Sequence, residues 1–331
     1  MDPVSDLILT EAPPFTGRVA VLQDVEGYLV RNLVERGVDA VGYCDDLRAE
    51  QALPLENRST SLEEAVGDAS LVLWRLPRSL EELRDDAERI ALTAPEHVRL
   101  VAGGRVKHMT RAMNDVLADC FGEVRASLGA QKSRVLHAAR PLLVEATWPR
   151  RRTESGLGII VLARGGVFSG NRLDPGTRLL LNSLALAESG QAIDLGCGSG
   201  IIATQLALGG WQVTGVDVSR AACESTRLTA QANGAPVEVL QSDGLTALPP
   251  ASAELIVTNP PFHQGAAKDS TPTREMFADA PRVLRPGGEL WTVFNSHLPY
   301  LAWQRELIGP TRIVAQDRHF TVTCATRRAD R

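Results

Sequence analysis

From Ala192 onward, short runs of apolar and β-branched residues alternate with stretches whose apolar positions recur every three or four residues. That alternation is the sequence form of a parallel α/β sheet. "AIDLG" predicts a strand, "SGIIATQLALGG" a helix stopped by glycine, "QVTGVDV" a second strand and "SRAACESTRLTAQANG" a helix with Ser219 as N-cap. "VEVLQSD", "AELIVTN" and "GELWTVFNS" predict three more strands, and "TRIVAQ" with "HFTVTCAT" a closing antiparallel hairpin. Together these make a mixed seven-stranded sheet with helices on both faces.

The first half of the chain repeats the layout. "AVLQDVEGYLVRNLVERGVDAVGYCDD", from Ala20, has the strand, helix, glycine, strand order of "AIDLGCGSGIIATQLALGGWQVTGVDV", about 172 residues earlier. "LVLWRLPR" stands where "LIVTNPPF" stands later, and "RLVAGGRVKHM" where "GELWTVFNSHL" does. Three matches in one order predict a domain duplication. The expected architecture is therefore two tandem Rossmann-like domains, 1–150 and 151–331, with a boundary in the polar, glycine-bounded "WPRRRTESG" from Trp148 to Gly156. The copies differ where loops carry chemistry. Gly196, Gly198 and Gly200 face Asp24, Glu26 and Gly27, and Asn-Pro-Pro-Phe faces Arg-Leu-Pro-Arg. The first copy keeps the scaffold and loses the reactive residues.

Composition narrows the class. A chain of 331 residues with 44% hydrophobic and 23% charged residues is a globular protein of two ordinary domains. It has no run of about 18 apolar residues, so no membrane helix is expected, and "MDPVSDLILTEAPP" lacks the form of a secretory signal. Five scattered cysteines without C-x-x-C spacing predict a reducing cytoplasm and no metal site. The net charge of -5 is unevenly spread: residues 99–152 hold eleven Lys or Arg against four acids, a balance of +7. Such a segment is either a solvated helical face or a phosphate-binding surface.

"DLGCGSG", Asp194 to Gly200, joins a strand directly to a helix, and its glycines let the backbone approach a ligand. Ile201 stands where the dinucleotide fingerprint would have its third glycine. Asp217, seventeen residues after Gly200, ends the next strand and can accept both hydroxyls of a ribose. Asp243, in "QSDG", can meet an adenine amino group, and Asp194 adds negative charge at the strand tip. These acids would repel a pyrophosphate. S-adenosylmethionine, with its sulfonium and ammonium groups, suits them.

"DLGCGSG", "VDVS", "SDG" and "NPPFHQG", in that order, resemble the S-adenosylmethionine-dependent methyltransferases that modify amino groups. "GGVFSGNRLDPGTRLLL", Gly165 to Leu181, is similar to a segment of the bacterial ribosomal RNA guanine-N2 methyltransferases, which often carry a degenerate N-terminal copy. The resemblance covers roughly residues 165–327 and extends to the first half only in layout. It implies a second domain that transfers methyl groups to a guanine of ribosomal RNA or of a ribosomal subunit, and a degenerate first domain. The +7 balance of residues 99–152 leads to the expectation that this first domain holds RNA. The chemistry agrees. An exocyclic amine is a poor nucleophile, because its lone pair is delocalised into the ring. The Asn259 side-chain oxygen and the Pro260 carbonyl can accept its two N–H groups, and Phe262 offers a face for the base.

Weaker candidates for substrate contact are Phe168 and His263, and for RNA phosphates Arg105, Lys107, Lys132 and Arg134. Asn-Pro-Pro-Phe also serves adenine-N6 and protein glutamine-N5 methylation, so these remain alternative substrates. A catalytically inactive RNA-binding protein is the alternative of another kind. No metal and no membrane partner are expected, and a monomer is.

Overall fold

The computed structural model describes residues 2–184, 189–260 and 271–329. They form two compact units, Met1–Pro149 with Arg164–Gly166, and Arg150–Ala163 with Val167–Arg331.

The first unit contains β1 (Arg18–Leu22), β2 (Ala40–Tyr43), β3 (Ala69–Arg75), β4 (Arg99–Arg105), β5 (Phe121–Ala126) and β6 (Ser133–Pro141), in the order β2-β1-β3-β4-β6-β5. The first four are parallel, and β6 runs antiparallel to β4 and β5. The second unit opens with a hairpin of β7 (Arg150–Glu154) and β8 (Ile159–Ala163). Its main sheet comprises β9 (Gln191–Leu195), β10 (Gln212–Asp217), β11 (Val237–Gln241), β12 (Ala253–Thr258), β13 (Leu284–Asn295), β14 (Thr311–Gln316) and β15 (Phe320–Thr326), in the order β11-β10-β9-β12-β13-β15-β14. With β11 removed, this order matches the first unit strand for strand. The duplicated Rossmann-like layout is thus present, and the first unit lacks the outer parallel strand among its described residues.

Successive side chains of a strand face opposite sides of a sheet, and both sheets bury both sides. In the second unit Ala192, Leu255, Val257, Trp291 and Val322 pack with Leu180, Ala203, Leu206 and Ala230 of three helices. Their strand neighbours Ile193, Ile256, Leu290 and Ala325 pack with Phe277, Ala280 and Tyr300 of two others. In the first unit Val19, Val21, Leu71 and Leu73 face Ile8, Leu29 and Leu33, while Ala20, Leu22, Val72 and Trp74 face Leu83, Ile90 and Leu117. Helices therefore cover each face, and the ligand-accessible part of such a sheet is the carboxyl edge of its strands. No helix among the described residues is long and apolar enough to cross a membrane.

Local signals set the helix starts that matter. Ser219 caps the helix Arg220–Ala232, its hydroxyl accepting the Ala222 N–H at 3.1 Å. Asp174 caps Pro175–Ser183, with proline in the first turn. The helix Ile201–Leu208 begins at Gly200, whose φ is +78°. A side chain there would place its Cβ 2.7 Å from the Thr226 Cα, so both the backbone conformation and the close approach require glycine.

Candidate active site

The site is built at the carboxyl ends of β9, β10 and β12. The loop after β9 turns with positive φ at Gly196 and Gly198, and a Cβ on Gly196 would meet nothing within 4 Å. This stretch of backbone is open to a ligand. Asp217, ending β10, is oriented by two backbone donors, the Gly198 N–H at 3.1 Å and the Ser219 N–H at 3.0 Å. Asp243 is exposed just beyond β11, and Asp217 pairs with Gln241 across β10 and β11. The loop, Asp217 and Asp243 thus share one sheet edge.

Asp194 is 1% exposed. One carboxylate oxygen accepts the Ala203 N–H at 2.9 Å, in the first turn of the helix after the loop, and the other is buried without a partner. Burial, and then the nearby charge of Asp217, push its carboxyl up to about 7. An orphaned buried acceptor beside a second carboxylate is a place for a cationic donor. The open glycine backbone, the oriented Asp217 and the unpartnered Asp194 oxygen therefore fit S-adenosylmethionine. Among the described residues no group of His, Cys, Asp or Glu could hold a metal ion.

Asn259 follows β12 directly. Its amide nitrogen donates to the Asp174 carboxylate at 3.1 Å and to the Thr177 hydroxyl at 2.9 Å. A carboxylate only accepts, so Asp174 forces the NH2 end of the amide toward itself. The oxygen, Oδ1, is left buried and without a donor. An asparagine held this way keeps its acceptor oxygen fixed in orientation and without a partner. In the sequence Asp174 and Thr177 carry no role of their own; the structure makes Asp174 both a brace for Asn259 and a helix cap. As cap, its carboxylate accepts the Thr177 N–H at 3.1 Å. Pro260 is buried beside Asn259, whereas Phe262 and His263 lie outside the described residues. Phe168 is 61% exposed.

The basic candidates do not share an α-helical face. Arg105 ends β4, Lys107 lies in the single turn of 3-10 helix Val106–His108, Lys132 in the turn before β6, and Arg134 on β6. Arg150, Arg151 and Arg152 form β7, paired with Ala163, Leu162 and Val161, so this run belongs to the second unit.

The counterpart loop of the first unit shows what was lost. The Gln23 N–H bonds to the Tyr43 carbonyl as the Gly196 N–H bonds to that of Val216. Gln23, Val25 and Gly27 therefore replace the three glycines, and Gln23 and Gly27 retain positive φ. Cys44 takes the place of Asp217, and burial pushes its thiol up to about 12, so it stays neutral. Arg75 takes the place of Asn259 and is tied to Asp2 and Ser5. The helix after the loop is still capped by an aspartate, but from a different position. Asp24 accepts the Val30 N–H at 3.0 Å, the amide that corresponds to Ala203.

A seven-stranded sheet of this order, with an acidic glycine loop and a braced asparagine at its carboxyl edge, defines an S-adenosylmethionine-dependent methyltransferase. Comparison with known proteins agrees: residues 158–324 match the methyltransferase small domain, and residues 8–141 match the RLMG N-terminal domain. Ribosomal RNA large subunit methyltransferase G of Streptomyces coelicolor is 33% identical over 95% of this chain and 89% of its own. Ribosomal RNA small subunit methyltransferase C of Hahella chejuensis is 41% identical over 49% of this chain and 48% of its own. Among solved structures, the T. thermophilus 16S rRNA N2 G1207 methyltransferase (RsmC), in complex with AdoMet and guanosine, is 25% identical with a TM-score of 0.83. That match covers 99% of this chain and 92% of that one. The chain belongs to the bacterial ribosomal RNA guanine-N2 methyltransferase family.

Proposed function

We propose that this chain methylates the exocyclic N2 of a guanine in ribosomal RNA, with Asn259 and Pro260 holding the amine. In this reading Gly196, Gly198, Gly200, Asp194, Asp217 and Asp243 hold S-adenosylmethionine. The carrying observation is the bracing of Asn259 by Asp174 and Thr177, which leaves Oδ1 as an unpaired acceptor. Bound S-adenosylmethionine supplies a methyl group on a sulfonium, already a good leaving group. The task left to the protein is alignment. Asn259 Oδ1 and the Pro260 carbonyl each accept one amine N–H, which localises the nitrogen lone pair and aims it at the methyl carbon. Phe262 stacks on the base, and Phe168 and His263 are further contacts to it. The base is swung out of its helix to reach them. The guanosine of the related T. thermophilus structure favours guanine over adenine or glutamine.

The first unit binds no S-adenosylmethionine in this reading, a role supported by Cys44 and Arg75 at the places of Asp217 and Asn259. It serves instead to hold RNA, through Arg105, Lys107, Lys132 and Arg134. The enzyme acts as a cytoplasmic monomer on ribosomal RNA or a ribosomal subunit. The test is Asn259→Ala. Cofactor affinity should stay within a few fold while turnover falls about 10²-fold or more, as for an interaction made chiefly in the transition state. Collapse of cofactor binding with surviving turnover at saturation would show the assigned role to be wrong.

A further inference from the structure

The first unit has a cavity of about 110 Å³ over the same strand ends that carry Asn259 and Pro260 in the second. Its walls include Arg75, Leu76, Pro77 and Arg78, the counterparts of Asn-Pro-Pro-Phe, together with Arg105 and His108. The helix Pro3–Glu11 closes one side through Val4. It lies so near β4 that a Cβ on Gly103 would meet Ile8.

Charge at this cavity is unbalanced. Arg18, Arg84, Arg89 and Arg140 of the same unit each hold a carboxylate, and Arg75 holds Asp2. Among the described residues Arg78 has no hydrogen bond or ion pair, and Arg105 has only the Gln131 carbonyl at 3.3 Å. Desolvation and then the positive charges of Arg78 and Lys107 hold the His108 ring below its ordinary range. Two arginines without a carboxylate partner and an imidazole around a concave space of this size, large enough for several waters, make a seat for one oxyanion.

We propose that this vacated substrate cavity binds a phosphate group of the RNA backbone, gripped by Arg78, Arg105 and His108. The idea rests on the reading that the first unit holds RNA, and it adds a defined seat to a diffuse basic surface. Conversion of an amine-binding pocket into an anion-binding one requires only new side chains at the strand ends, because the sheet and the flanking helices are kept.

The experiment uses the full chain and a fluorescent single-stranded oligouridylate, with binding followed by anisotropy between about 50 and 200 mM salt. Arg78→Gln, at an exposed position, should weaken binding several-fold and lower the log–log salt slope by about 0.7, the contribution of one phosphate contact. S-adenosylmethionine affinity should not change. Inorganic phosphate should raise the His108 pKa in the parent but not in the Arg78→Gln variant, and guanosine should not. A paired reversal, Lys132→Glu with Arg134→Glu, separates the two ideas. If it weakens RNA binding while Arg78→Gln has no effect, the first unit holds RNA but the cavity does not. If neither has an effect, the RNA-holding role falls as well. Displacement by guanosine rather than by phosphate would make the cavity a base pocket and overturn the proposal.

Discussion

Asp194→Asn should make the cofactor-free protein more stable and the cofactor-bound one weaker, and the structure sets the scale. In the fold this carboxyl holds its proton up to about 7, against 3.8 for an ordinary aspartate. The difference is about three units at 1.36 kcal/mol each, so ionising Asp194 costs the free fold about 4 kcal/mol. The sign follows from the raised folded value. The cost is absent below the unfolded value, grows as pH rises from about 4 to 7, and is complete above that. Asparagine cannot ionise, and its side-chain oxygen can still accept the Ala203 N–H. Its amide nitrogen would inherit the unpartnered position at about 1–3 kcal/mol. The net expectation is a gain of a few degrees in Tm near pH 8 that vanishes near pH 5. Cofactor binding should show the opposite pattern. A cationic ligand favours the ionised carboxylate, so binding to the parent releases a proton. Affinity should then rise by up to tenfold per pH unit below about 7 and level off above. S-adenosylhomocysteine, lacking the sulfonium charge, should show a shallower rise, and the Asn variant none. Thermal unfolding with and without cofactor across this range, with calorimetry in two buffers to count protons, measures both effects. If the Asn variant is less stable at pH 8 and keeps the parental pH profile for S-adenosylmethionine, Asp194 is a structural cap and not part of the cofactor site.

Asp174→Ala and Thr177→Val should each lower turnover about tenfold by freeing the Asn259 amide to rotate, with cofactor affinity unchanged. Asp174→Asn, which keeps an acceptor oxygen and the helix cap, should recover most of the loss, and an Ala variant that lost only thermal stability would deny the bracing role. Asp217→Ala should weaken S-adenosylmethionine binding at least tenfold through loss of a charged acceptor, whereas unchanged affinity by calorimetry would remove Asp217 from the ribose position.

Much of the architecture was legible because it rests on local signals. The Ser219 cap, the Gly200 turn and the seven strands of the second unit's main sheet each carry a signal in residues within a few positions of one another. The duplication could be read for the same reason, since the order of elements survives where the identities do not. The bracing of Asn259 was not legible, as its donor meets an acceptor 85 residues earlier in the chain. A capping aspartate gives no sign in sequence of a second partner. The helix Pro3–Glu11 does have a local signal, Asp2 as N-cap before a proline in the first turn, alongside burial of Val4 and Ile8. The basic segment was visible as a charge count, yet its division between β4, the turns beside β6, and β7 depended on strand pairing that composition does not encode.

The two copies separate what a fold requires from what a site requires. Both keep alternating burial on two faces, a left-handed residue at the helix entrance, and an aspartate on the third helical amide. That aspartate comes from different loop positions in the two copies, so the helix amide selects for a carboxylate and not for a particular residue. The strand ends are buried in part: Val21 and Cys44 lie in the core of the first unit, and Asp194 is buried in the second. There the copies have diverged in sign. In the second, Asp194 and Asp217 face a site suited to a cation. In the first, their counterparts Val21 and Cys44 are apolar or neutral, and Arg75 and Arg78 stand where the asparagine and phenylalanine were. A basic edge disfavours a sulfonium ligand and favours a polyanion, an attraction that salt should screen. The RNA-holding role proposed for the first unit and its lack of the second unit's site residues would then share one cause, the change of side chains at the carboxyl edge of a sheet whose strand order is kept.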